Sequence, residues 1–180
     1  MKNKVMEVFL KIIAVPAIVS LVLYIMYLLA PAEAPKIYGI MAAYAFTPAG
    51  HLVILGGPAL GITFWQAVLS ITFMDSVVSL FIILNFDLLR KAPFIGPRIN
   101  SSVEKARNWL EKWKWLAPLE FAGIIIFVAI PFPGTGALIG TLIARLLGMS
   151  GMLSFAAVSI GGFLISIMFA LPAYGIARIF

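Results

Sequence analysis

Residues 37–87 read IYGIMAAYAFTPAGHLVILGGPALGITFWQAVLSITFMDSVVSLFIILNFD, an apolar run in which Asp75 is the first charge after Lys36. As one helix, residues 37–86 would extend about 75 Å, against a bilayer hydrocarbon core of about 30 Å. The run must therefore break. Two breaks are written into it, Thr47-Pro48-Ala49-Gly50 and Gly56-Gly57-Pro58, both unfavourable to helix. The pieces flanking the first are too short to span, which predicts a re-entrant helical hairpin followed by a full span from about Gly61 to Asp87.

The rest of the chain is consistent with a membrane setting. Of its residues 63% are hydrophobic and 11% charged, whereas soluble domains carry about a quarter charged residues. Residues 12–32, 37–74, 121–144 and 146–177 contain no Asp, Glu, Lys or Arg, and each is long enough to cross a bilayer at about 20 residues per span. Toward the N-terminus, Lys2, Lys4 and Lys11 precede an apolar run that ends at Ala30-Pro31-Ala32. This resembles a signal peptide, but its apolar core is too long for one, so an uncleaved span from near Val8 to Leu29, interrupted by Pro16, is expected.

Toward the C-terminus, seven of the thirteen Lys and Arg fall between Arg90 and Lys114, the mark of a cytoplasmic segment. Within it, Ser101 with Glu104 forms a capping box. Val103, Ala106, Leu110 and Trp113 recur at helical spacing, predicting an interfacial amphipathic linker helix. Trp109, Trp113 and Trp115 beside Lys112 and Lys114 read as interfacial anchors rather than a nucleic-acid surface. After Trp115 the pattern returns: an apolar arm, a break at Pro131-Phe132-Pro133-Gly134-Thr135-Gly136, a short second arm and a final apolar stretch from Gly151. Gly50 aligns with Gly136, Leu52 with Leu138 and Ser79 with Ser166. With the N-terminus inside, the two hairpins enter from opposite faces.

The predicted fold is thus an all-α integral membrane protein of about three transmembrane helices plus two re-entrant helical hairpins, arranged as inverted repeats. One membrane domain covers 1–180: a first span and loop (1–36), repeat 1 (37–89), the basic linker (90–115) and repeat 2 (116–180). Broken helices meeting near the midplane of inverted repeats are a recurring transporter design.

The string FVAIPFPGTGALIGTLIARLLGM at residues 127–149 resembles the signature of the small multidrug export protein family, IPxPGTGA…G…A…LLG. That family in turn resembles a distant branch of the DedA superfamily, whose paired re-entrant hairpins would match those read above. The resemblance implies a non-enzymatic carrier of an anionic amphiphile such as a polyprenyl phosphate or phospholipid. It also leaves open an exporter of small hydrophobic or cationic drugs, for which Asp75 would be the coupling or cation-binding carboxylate, and a non-transporting assembly factor. Unlike DedA proteins, this chain has no Asp or Glu at the first break and no Arg at the second.

Candidate site residues follow from depth. At the breaks, Thr47, Pro48 and Gly50 in the first and Pro133, Gly134, Thr135 and Gly136 in the second would open short inner helices whose free backbone N–H groups attract an anion. The blander reading is that Pro and Gly permit the turn and Thr caps it. Asp75, near the centre of the second span, would cost at least about 2.5–3.5 kcal/mol unpaired. A contact with His51, the single histidine, is the natural partnership, the alternative being a protonated Asp75 bonded to a Ser or a carbonyl. Glu120 and Arg145 flank the second break at matching distance and are expected to form an ion pair at the hairpin base, or else Arg145 reaches lipid phosphate alone. Gly56-Gly57 and Gly161-Gly162 read as close helix contacts. With no cysteine, no nucleotide loop and no metal-ligand cluster, no cofactor, metal or catalytic residue is expected. The expected partners are membrane lipids, an anionic or small amphiphilic substrate and a second copy of the chain.

Overall fold

The computed structural model describes residues 2–91, 120–131 and 136–175, apart from the side chains of 2–5, 7, 8 and 120. The described residues form six α-helices: α1 (Lys2–Leu29), α2 (Ala34–Phe46), α3 (Phe64–Lys91), α4 (Glu120–Ala129), α5 (Ala137–Leu146) and α6 (Gly151–Tyr174). Among them, three are long and apolar enough to cross a membrane: Phe9–Leu29 within α1, then α3 and α6. At 1.5 Å per residue, the 13 residues of α2 and the 10 of α5 reach only about 15–20 Å, too short to span.

The boundaries differ from the sequence reading for local reasons. Helix α1 starts six residues earlier than expected, at Lys2, because charged residues outside an apolar run do not disfavour helix. Pro35, expected in a loop, sits in the first turn of α2, where a missing N–H costs nothing. The arm after the first break is not an α-helix. Gly50–Gly56 and Pro58–Leu60 are 3₁₀ turns. Gly50 enters the arm at φ +54° and Gly61 leaves it at φ +68°, a left-handed conformation that only glycine adopts cheaply. The Gly56-Gly57-Pro58 break separates the two 3₁₀ turns, and α3 begins at Phe64 rather than Gly61.

Helices α3 and α6 lie antiparallel at the centre. The Phe64 and Tyr174 rings meet edge-on at 5.9 Å, and the Ser76 and Ser159 hydroxyls are 2.9 Å apart. At the other end, a Cβ on Gly151 would lie 2.9 Å from the Ile83 side chain. Around this pair the short elements cross over. Helix α2 packs on α3, while the 3₁₀ arm that follows packs on α6; α4 packs on α6, while α5, which follows it, packs on α3. Two apolar clusters result. One joins Ile40, Ile54, Val68 and Ile71 to Ala170 and Tyr174, and the other joins Ile124, Val128 and Ala144 to Ala157 and Val158.

Glycine makes the second cluster possible. A Cβ on Gly161 would lie 2.7 Å from Val128 Cβ and 2.8 Å from the Ile125 carbonyl oxygen, so α4 rests directly on the α6 backbone. Gly57 is likewise covered by the Tyr174 ring, whereas Gly56 has nothing within 4 Å. Helix α1 stands at the periphery, with Val15 buried but most of its large apolar side chains exposed. It is tied in where Tyr38 donates to the Leu23 carbonyl and Asn85 Nδ2 donates to the Lys11 carbonyl at 3.4 Å.

Candidate functional site

Helix α3 carries Asp75 on the face turned toward α6, and the residue is fully buried. Its neighbour across the interface is Gly162. A Cβ there would sit 3.0 Å from the Asp75 carboxyl carbon, so glycine is what admits a carboxylate between the two central helices. Both carboxylate oxygens are engaged by the first broken segment. The Tyr44 hydroxyl, from the last turns of α2, donates to Oδ1, and His51 Nε2, from the 3₁₀ arm, lies 2.9 Å from Oδ2. The two rings meet edge-on, 5.4 Å apart at 76°. His51 is itself buried, so Tyr44, His51 and Asp75 form a polar centre enclosed by apolar packing.

That arrangement solves the problem posed by an acid in apolar surroundings. Each oxygen of a buried carboxylate needs a donor, and the turn at residues 47–50 folds Tyr44 and His51 back side by side to supply two. Sequence reasoning named His51 and Asp75 but missed Tyr44. The available signal was symmetry: Tyr44 and His51 stand equally far from the middle of the Thr47-Pro48 turn.

A second polar layer lies one turn farther along α3. Thr141 of α5 donates to the Ser79 hydroxyl at 2.9 Å and contacts the Ala137 carbonyl at 2.7 Å. Both side chains are fully buried. Ser166, the residue aligned with Ser79 in the repeat, is also fully buried, and its hydroxyl has no hydrogen-bond partner among the described residues.

The remaining candidates separate. Thr47 does not cap the inner arm. Its hydroxyl donates back to the Ala43 carbonyl at 2.6 Å, closing the C-terminal end of α2, because the arm beyond it opens as a 3₁₀ turn without a side-chain cap. Thr47 and Pro48 are exposed and Gly50 is partly so. Gly136 is the N-cap residue of α5, with extended backbone and no side-chain cap. Pro133, Gly134 and Thr135 lie outside the described residues, as do the linker helix and its tryptophans. The Glu120 side chain also lies outside them. Arg145 closes the α5–α6 corner: its guanidinium donates to the Met149 carbonyl at 2.6 Å and stacks over the Phe86 ring, 5.3 Å from the centroid. Ser150 then caps α6 by accepting from the Leu153 N–H at 3.3 Å. Among the described residues no three His, Asp or Glu side chains gather into a metal-ligating group.

Three apolar helices of membrane-spanning length among the described residues, two of them packed about a buried polar centre, indicate an α-helical membrane protein. Residues 38–168, most of the chain, match the family described as "Putative small multi-drug export protein", and the chain belongs to that family. No curated protein matches the chain, and neither does any solved structure. The likeness to DedA proteins therefore stays an expectation drawn from sequence.

Proposed function

We propose that this chain is a cell-membrane exporter of small hydrophobic or amphiphilic molecules, with the Tyr44–Asp75–His51 centre as its proton-coupling element. The observation that carries this reading is the double engagement of Asp75 by one broken segment. A carboxylate accepts at both oxygens; once protonated it must donate at one of them. Adding or removing one proton therefore changes how firmly the first hairpin is held to α3. A local charge event that biases a movable element is the physical content of coupling. Asp75 serves coupling rather than direct cation binding, because Tyr44, His51 and Gly162 already occupy its surroundings.

The crossing of the arms supports an inverted-repeat reading in which both broken segments are re-entrant. Each first arm packs on the span that follows it, and each second arm packs on the other span. The distribution of basic residues along the sequence favours an N-terminus and a linker on the cytoplasmic side. Single cysteines at Lys36 and Lys91 should then label from opposite sides.

The test of coupling uses vesicles containing the full chain, an imposed pH gradient and a fluorescent lipophilic cation. Wild type should drive the dye toward the acidic side, opposite to the protons, and Asp75→Asn should not while remaining folded. Dye movement at the wild-type rate in folded Asp75→Asn would refute the assignment.

A second reading, movement of an anionic amphiphile such as a lipid phosphate, is favoured by the start of α5. Its first N–H groups face no side-chain cap at Gly136, and a Cβ there would meet none of the described residues within 4 Å. This is the open helix start that an anion uses. Leaflet-to-leaflet movement of a labelled lipid phosphate, lost in Gly136→Val, would favour it over the first.

A further inference from the structure

Between α1, α3 and α5 lies a half-open cavity of about 480 Å³, lined by Val15, Val19, Val77, Val78, Phe81 and Leu138 together with other apolar side chains. Every lining residue is apolar, so water has no partner in it. Its volume is also well above the roughly 150 Å³ at which an apolar cavity takes up a hydrocarbon guest, and it falls within the range of about 300–1,000 Å³ typical of ligand sites. In a protein surrounded by lipid, hydrocarbon is the species that meets these walls.

One end of the cavity is charged. Leu89 lines it there, with Arg90 and Lys91 next in α3. The Lys11 carbonyl accepts from Asn85 one turn back, which brings α1's Lys11 to the same end. Asp87 is the acidic residue on that stretch of α3, so basic groups outnumber it. An apolar slot ending at a net positive rim fits a chain that carries a negative head.

We infer that this cavity holds one acyl chain of an anionic membrane lipid, its headgroup at the Lys11 and Arg90 end. The chain fills the space that α1 leaves against α3 and α5, and the head stays at the membrane surface. The site shares no residue with the Asp75 centre, so it stands or falls apart from the export reading.

The experiment reconstitutes the full chain in vesicles with phosphatidylglycerol or phosphatidylcholine carrying a photoactivatable group at the end of one acyl chain. Adducts are mapped by mass spectrometry. Phosphatidylglycerol should label Val77, Phe81 or Leu138 above the exposed outer residues Leu21 and Leu28 of α1, and should do so more than phosphatidylcholine. A basic residue near a membrane surface attracts an anionic head about fivefold, so Lys11→Gln should lower cavity labelling by about that factor. Val78→Trp, which fills the slot, should abolish cavity labelling and leave the Leu21 and Leu28 adducts. If Val78→Trp does not fold, Leu138→Phe is the smaller filling change and should at least halve it. Equal labelling by the two lipids, adducts spread evenly along α1, or an unlabelled cavity, as when residues 92–119 of the chain fill it, would each overturn the inference.

Discussion

Replacing His51 with Leu deprives Asp75 Oδ2 of its donor inside a fully buried site. An unsatisfied buried polar group costs about 1–3 kcal/mol, and more if charged. Replacing Asp75 with Ala instead strands two donors, the Tyr44 hydroxyl and His51 Nε2, for about twice that cost. The double variant leaves only Tyr44 unpaired and should cost about as much as His51→Leu alone. Central values are therefore about 2 and 4 kcal/mol for the single changes and about 2 for both together. The void left by the shortened side chain is common to Asp75→Ala and the double variant, so it cancels in the cycle. Partners found in the unfolded, membrane-bound state reduce such couplings to an average of about 0.6 kcal/mol with a maximum of about 1.7 for ordinary pairs. A doubly bonded acid should lie toward the upper end. Unfolding in mixed micelles, followed by tryptophan fluorescence across a detergent titration, measures all four corners. Additivity within about 0.5 kcal/mol would mean that His51 and Asp75 are neighbours without an energetic bond, and the coupling mechanism would lose its basis.

Gly161→Ala should destabilise by about 1–3 kcal/mol, because its Cβ meets the Ile125 carbonyl, a backbone atom that cannot rotate away; Gly136→Ala, whose Cβ meets none of the described residues, should change unfolding by less than about 0.5 kcal/mol. Thr141→Val should cost about 1 kcal/mol by leaving Ser79 without its donor, and pairing it with Ser79→Ala should recover part of that loss in the same titration. Phe86→Leu should lower stability by at least about 0.5–1 kcal/mol through the Arg145 stacking contact, and the loss should shrink but not vanish in an Arg145→Gln background, because Arg90 lies 5.9 Å from the centre of the same ring.

Tyr44 shows most clearly where reading from sequence ends. Its symmetry with His51 about the turn could pair the two residues with each other, but not with a carboxylate 31 residues away, since that depends on which face of α3 the folded-back arm meets. The 3₁₀ arm is similar. Gly50, Gly56, Gly57 and Pro58 announced a break, but whether the residues between them coil as α or 3₁₀ depends on what α6 leaves room for.

Some features were settled by the chain's own chemistry. The apolar runs are too long and too uncharged for water, and the two Pro-Gly breaks stop helices wherever they occur, because proline lacks the N–H and glycine the conformational preference that a helix uses. A lone Asp within such a run had to find donors, because a bare carboxylate in apolar surroundings is costly. Tertiary structure decided which donors. The packing of α2 and the 3₁₀ arm beside α3 and α6 placed Tyr44 and His51 at Asp75, and the crossing of α5 onto α3 placed Thr141 at Ser79. Helix packing also turned Arg145 to the Met149 carbonyl and the Phe86 ring, and set Gly162 where no side chain could fit beside the carboxylate. These pairings depend on close packing between segments distant in sequence, and such packing exists only once the helices have met.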